Sequence, residues 1–274
     1  MKIALIQMKV TVNNDENIKN ATDKIKQATK NGAQMVVLPE MFCCPYETSC
    51  FPVYAQKEGG ENFIAMSKVA KECGIYLVAG SMPENDNGKT FNTSYVFDKN
   101  GEKIAKHRKM HLFDISVEGG QHFMESETLS AGSEIVTFDT EFGKFGLQIC
   151  FDIRFPELSR VMALEGVQAI IIPAAFNMTT GPAHWELLFR ARALDNQIFM
   201  IGTSSARDMQ SSYHSYANSI IASPWGDVLA RLDEKEGTLY YDLDFEYNQN
   251  IRKQLPLLSA RKTDVYNISR ANEQ

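Results

Sequence analysis

Cysteine is scarce in this chain, with five in 274 residues, and the spacing of Cys43, Cys44, Cys50, Cys73 and Cys150 matches no zinc-ligand pattern or disulfide framework. That excludes a small scaffold stapled by metal or disulfides and leaves Cys43 and Cys44 as reduced bystanders. Long apolar runs are missing too. No stretch approaches the ~18 residues of a membrane span, and residues 1–8 read directly as a strand, with no apolar leader or cleavage site. The expectation is a cytoplasmic protein without membrane contact. Basic runs and basic-aromatic clusters are also absent, and the net charge is -6 with a pI near 5.5. A nucleic-acid surface is therefore excluded, and an anionic substrate would need local cations. No linker, low-complexity tract or short-period repeat breaks the chain, so residues 1–274 are expected to form one domain. Its 44% hydrophobic and 23% charged content suits a soluble globular enzyme.

What is present is an alternation of short buried runs and amphipathic stretches. Residues 2–8 predict a strand, and Ile18, Ala21, Ile25 and Ala28 recur at helical spacing after an Asn14 cap and before Gly32. Residues 35–38 are too short for anything but a strand. A helix over 61–73 closed by Gly74 and a strand over 75–80 follow. Residues 90–98 and 103–107 flank Asn100-Gly101 as a hairpin. Residues 111–134 read as a long polar loop, a length more often functional than idle. Strands over 135–138 and 144–149 then lead into Cys150. After it come a helix over 158–165, a strand over 169–172 ending at Pro173, a helix over 184–196 and a strand over 198–202. A hairpin of residues 217–223 and 228–231, a strand over 238–243 and a helix from Phe245 complete the chain. Helices alternating with runs buried on both faces predict an α/β protein of sheet layers covered by helices.

Three residues stand just past apolar or strand-like runs: Glu40, Lys109 and Cys150. Strand ends are where open sheets gather ligands. Cys150 falls at an elbow between a strand and the helix start Pro156-Glu157, where a thiol can project beside free backbone N–H groups. A thiol nucleophile needs a base, and a semi-buried carboxylate such as Glu40 can serve. Negative charge developing on an acyl oxygen needs donors, for which the Lys109 ammonium and the Phe151 N–H are suited. The positive charge of Lys109 is expected to depress the thiol pKa. Blander roles exist for each: a small core hydrophobe for Cys150, a solvated loop charge for Glu40, an exposed basic stripe for Lys109. Two rival functions stand beside the triad. One is a papain-like dyad of Cys150 with His184 or His214, neither of which has a local signature of that kind. The other is a non-catalytic binding module, which would most naturally lack one of the three residues.

Leu38-Pro-Glu40-Met, His107-Arg-Lys109-Met-His-Leu-Phe and Gly146-Leu-Gln-Ile-Cys150-Phe-Asp-Ile-Arg154-Phe-Pro-Glu together resemble the signature segments of the nitrilase superfamily of carbon–nitrogen hydrolases, and the similarity spans nearly the whole chain. The resemblance implies a four-layer αββα sandwich with Glu40 as base, Lys109 stabilising the tetrahedral intermediate and Cys150 as nucleophile. It places a supporting glutamate at Glu125. It also implies a small-molecule amide substrate, no metal or cofactor, and a homodimer packed through helical layers near Cys150. Within the superfamily, residues 109–116 and 175–186 are most similar to the omega-amidase branch, which hydrolyses the terminal amide of 2-oxo acid amides such as 2-oxoglutaramate and 2-oxosuccinamate. The runner-up substrates are deaminated glutathione and N-carbamoyl amines. The chain departs from the pattern at Gln148, where glycine is more usual, and at Phe151, where tyrosine is common. Arg154 has two readings, a bidentate grip on the substrate carboxylate or an ion pair with Asp152 or Glu157. Asn177 and Thr180 belong to a loop that either lines the pocket or simply connects.

Overall fold

Alternation along the first strand sets the layering. In β1 (Lys2–Gln7), Ile3 and Leu5 face one apolar core while Ala4 and Ile6 face another, as the two-residue period of a strand requires. Both faces are therefore buried, and each fully buried Ile or Leu side chain contributes roughly 1.5–3 kcal/mol. The structure is a computed structural model that describes residues 1–119 and 121–271. After β1 come α1 (Asn14–Lys30), β2 (Met35–Val37), α2 (Phe51–Tyr54), α3 (Glu61–Cys73), β3 (Tyr76–Val78), β4 (Met82–Asp86), β5 (Lys89–Phe97) and β6 (Lys103–Arg108). A small hairpin of β7 (Asp114–Ser116) and β8 (His122–Met124) leads to β9 (Val136–Thr140) and β10 (Gly143–Leu147). The remainder is α4 (Pro156–Leu164), β11 (Ala169–Ala174), α5 (Gly181–Asn196), β12 (Phe199–Ser204), β13 (Ile220–Ala222), β14 (Val228–Arg231), β15 (Gly237–Asp242) and α6 (Phe245–Gln254).

The first sheet runs β15-β1-β2-β3-β5-β4, with β6 on the other edge of β5. The second runs β14-β13-β12-β11-β10-β9. Each has a parallel centre, β1-β2-β3 in one and β10-β11-β12 in the other. The sheets pack face to face through Leu5, Val37 and Val78 against Leu147, Ile171 and Ile201. Ala21, Ile25, Met66 and Val69 of α1 and α3 cover the outside of the first sheet, and Met162 of α4 with Trp185 and Phe189 of α5 cover the second. This is the expected αββα order.

Local differences from the sequence reading have simple causes. Asn13, one residue earlier than expected, caps α1 by accepting from the Glu16 N–H at 3.1 Å, while Asn14 donates to Asn62. Residues 111–134 are not all loop, since β7, β8 and a 3-10 turn at Glu125–Glu127 lie within them. β4 has no apolar alternation and forms because β5 offers it an edge. Pro173 lies inside β11, opposite Thr203, and the strand continues to Ala174.

Candidate active site

Glu40 follows β2 in a sharp corner. Met41, the next residue, has φ 50° and gives its N–H to Ser81 Oγ at 3.0 Å. A Cβ on Gly80 would lie 2.1 Å from the Pro39 carbonyl oxygen, so only glycine permits the approach. Lys109 directly follows β6, its N–H bound to Asn92 O at 2.9 Å and its carbonyl accepting from Gly132 N–H at 2.8 Å. Cys150 opens a 3-10 turn, Cys150–Arg154, with φ 44°. A non-glycine residue in this left-handed region costs about 1–3 kcal/mol, which surrounding structure must hold in place.

Asp152 supplies much of that hold. Its Oδ2 accepts from the Ile149 N–H at 3.0 Å and His107 Nε2 at 2.9 Å; its Oδ1 accepts from the His111 N–H at 3.0 Å and His111 Nδ1 at 2.8 Å. His107 and His111 flank Lys109, so one buried carboxylate ties the lysine segment to the cysteine turn. Burial acts to raise the Asp152 pKa, but the bonds from His107 and His111 outweigh it and hold the group ionised well below the usual aspartate range.

These segments bring Glu40, Lys109, Glu125 and Cys150 together in the interior, each no more than 4% exposed. Lys109 Nζ lies 2.9 Å from Glu40 Oε1 and 2.9 Å from Glu125 Oε1. Asn92 Nδ2 also donates to Glu40 Oε1 at 2.8 Å, and Tyr46 Oη lies 3.2 Å from that oxygen and 2.7 Å from Glu125 Oε1. Glu125 Oε2 accepts the Phe113 N–H at 2.7 Å. Among the described residues no N–H or O–H group reaches Glu40 Oε2, and the Cys150 thiol bonds to the Glu40 carboxylate.

Two carboxylates around one ammonium leave the cluster with an excess negative charge. Burial raises the Glu40 pKa, opposed by Lys109 and reinforced by Glu125. For Lys109, burial favours the neutral amine, yet the charges of Glu125 and Glu40 prevail and keep the ammonium. Burial and the Glu40 charge push the Cys150 thiol well above its ordinary range, despite Lys109 and a hydrogen bond from the Ala175 backbone. The expected depression of the thiol pKa is thus overturned. Lys109 is already neutralised by its two carboxylates, and a thiolate would add another buried negative charge. The resting site pairs a thiol with a basic carboxylate.

Residues 2–253 match the family model described as carbon–nitrogen hydrolase. The chain belongs to the carbon–nitrogen hydrolase family. It is 50% identical over 267 residues to an omega-amidase of Xenopus laevis and 46% identical to the omega-amidase of Homo sapiens, covering 97% of both chains in each comparison. Among solved structures it is similar to Nit3 of Saccharomyces cerevisiae, a member of branch 10 of the nitrilase superfamily, with a TM-score of 0.89 and 41% identity over 96% of each chain.

Around the central cluster of this carbon–nitrogen hydrolase, Arg154 forms neither of the expected ion pairs. Asp152 is filled by the two histidines, and the guanidinium instead lies 3.0 Å from His184 Nδ1. Phe151 packs edge-on to Phe113 at 5.2 Å and stands 5.3 Å from the Arg154 guanidinium. Asn177 and Thr180 are not brought to the cluster by hydrogen bonds. Asn177 Oδ1 accepts from the Thr180 N–H at 2.9 Å and Oγ1 at 3.0 Å, closing the turn before α5, and its Nδ2 reaches Gln121. These bonds order the loop at the start of α5. Gln148, at the position where glycine is more usual, donates to Ser159 Oγ at 3.0 Å on the α4 side. His184 serves Arg154, and the carboxylate acting on Cys150 is Glu40, which disfavours a thiol–histidine dyad.

Sequence reasoning missed Tyr46, Asn92 and Tyr213. Tyr213 packs against Tyr46 with ring centroids 4.6 Å apart and the planes tilted by 39°, and gives its hydroxyl to the Ala175 carbonyl. Both tyrosines, with Glu40, line a cavity of about 350 Å³. Among the described residues no cluster of three or more His, Cys, Asp or Glu side chains could hold a metal ion, and no helix is long and apolar enough to cross a membrane.

Proposed function

We propose that this hydrolase is an omega-amidase, converting 2-oxo dicarboxylic acid monoamides such as 2-oxoglutaramate or 2-oxosuccinamate to the 2-oxo acid and ammonia through a thioester on Cys150. The observation that carries the reading is the likeness to omega-amidases over 97% of both chains at up to 50% identity. Arg154 supports it, as a half-buried guanidinium that pairs with no carboxylate among the described residues. A substrate carboxylate bound there would be fixed to one side of the reacting amide.

In this mechanism Glu40 Oε2 takes the thiol proton as Cys150 Sγ adds to the amide carbon. Lys109 and the Phe151 N–H stabilise the oxyanion. The proton held by Glu40 passes to the leaving nitrogen, the C–N bond breaks and ammonia departs. Glu40 then takes a proton from water as its oxygen attacks the thioester, and that proton returns to Sγ when the acid leaves. Glu125 contributes by holding Lys109. An ammonia-release assay across 2-oxoglutaramate, deaminated glutathione and N-carbamoylputrescine tests the choice: highest kcat/KM on 2-oxoglutaramate is expected, and preference for either other compound moves the assignment to that substrate.

The same reading includes a homodimer packed through α4 and α5, supported by the exposed apolar Leu164, Leu187 and Leu194 on those helices. Sedimentation as a dimer at micromolar concentration is expected, and a stable monomer would remove this element. A cytoplasmic location is supported by the five free cysteines and is tested by fractionation.

A further inference from the structure

Arg154 is held by α5 at two points. Arg192 Nε donates to the Ile153 carbonyl at 3.1 Å and its Nη2 to the Arg154 carbonyl at 3.3 Å. Two turns earlier on the same helix, His184 Nδ1 lies 3.0 Å from Arg154 Nη1. A guanidinium has only donors, so His184 Nδ1 must be the acceptor, which fixes a neutral ring with its proton on Nε2. Burial and the Arg154 charge both disfavour protonation of His184. The rings of Phe176 and Phe151 stand 4.9 Å and 5.3 Å from the guanidinium and limit its rotation.

With Nη1 taken, the edge formed by Nε and Nη2 is left. Nε is buried and has no hydrogen-bond partner among the described residues. A buried donor without a partner is costly, and the Nε–Nη2 edge is one of the two forks by which arginine binds a carboxylate bidentately. A histidine that only filled space beside the helix would not need its Nδ1 aimed at a cation.

We propose that His184 is a positioning residue that orients Arg154 through Nδ1, turning the free Nε–Nη2 edge toward the substrate carboxylate and so setting the preference for anionic amides. The proposal rests on the reading above that Arg154 binds that carboxylate. His184 touches no reacting atom. Its effect therefore belongs in KM for charged substrates and not in kcat.

The test compares His184→Leu, which removes the acceptor, with His184→Asn, whose Oδ1 can take the place of Nδ1. Arg154→Met is the control, and each variant is assayed on 2-oxoglutaramate and on a small uncharged aliphatic amide. His184→Leu is expected to raise KM for 2-oxoglutaramate roughly tenfold, the scale of losing one hydrogen bond to a charged group, with kcat and the uncharged amide little changed. His184→Asn should recover most of the loss, and adding His184→Leu to Arg154→Met should cost nothing further. If Arg154→Met leaves KM for 2-oxoglutaramate unchanged, the carboxylate reading of Arg154 fails. If Arg154→Met raises that KM but His184→Leu does not, only the positioning role is overturned. Equal losses on charged and uncharged amides in His184→Leu likewise overturn it, assigning His184 to structure.

Discussion

Lys109 Nζ binds Glu40 at Oε1, 2.9 Å away, while among the described residues no N–H or O–H group reaches the other oxygen and the Cys150 thiol bonds to the same carboxylate. Asn92 and Tyr46 crowd onto the same Oε1. The carboxylate is thus divided into an anchored oxygen and one free of those donors, an arrangement that suits the proposed role of an oriented base.

Removing either partner should be costly to turnover and tolerable to the fold. Glu40→Gln and Lys109→Ala are each expected to lower kcat by a factor on the order of 10² or more, the scale of a lost general base or oxyanion donor. Circular dichroism alongside kinetics checks this. Near-normal kcat in either variant removes that residue from the mechanism.

The acid side of the pH profile should report Glu40. The base works only when ionised, and burial raises its pKa, so activity falls as pH drops through a value above the ordinary glutamate pKa of about 4.3. A kcat/KM profile for the wild type between pH 4 and 8 measures it. An acid limb centred at or below the ordinary value would mean that Glu40 is not the titrating base.

Cys150 should be the cysteine whose alkylation abolishes turnover, and its reaction should lack the signature of a preformed ion pair. Since burial and Glu40 raise the thiol pKa, inactivation by iodoacetamide is expected to quicken continuously from pH 6 to 9. Peptide mapping locates the adduct. A rate plateau below pH 7, or inactivation through Cys43 or Cys44 with Cys150 unmodified, contradicts the assignment.

Asp152 should matter to stability across the neutral range. Its pKa is depressed in the folded protein, so its stabilisation is fully present above the unfolded value of about 3.9 and is lost only as pH falls through the lower folded value. Asp152→Asn is expected to cost on the order of 3 kcal/mol in urea denaturation, by weakening charged hydrogen bonds to two histidines and two backbone amides. An unchanged urea midpoint in Asp152→Asn at pH 8 would remove Asp152 from the support of the fold.

Much of this is legible in the sequence. Apolar runs buried on both faces, such as residues 2–8, and the helical spacing of Ala21, Ile25 and Ala28 point to sheets covered by helices, while the pairing of two sheets into four layers comes from resemblance to a known family. Glu40, Lys109 and Cys150 were found because each ends an apolar or strand-like run, and Glu125 only through the resemblance. Asn92 was hidden because it is one polar position in the alternating β5, and Tyr46 because it lies in an irregular segment; both reach Glu40 only through the tertiary fold. The Asp152 clamp has a sequence signal, His107 and His111 at two residues either side of Lys109 and Asp152 two after Cys150. The raised thiol pKa had no such signal, because it depends on Lys109 being shared between two carboxylates.

The most direct test of the account is the reaction of 2-oxoglutaramate with the wild type and with Cys150→Ser, following ammonia and 2-oxoglutarate together. The account predicts equimolar release of both products by the wild type and no turnover by Cys150→Ser. Turnover that survives in Cys150→Ser, or a wild type that releases no ammonia from this substrate, would contradict it.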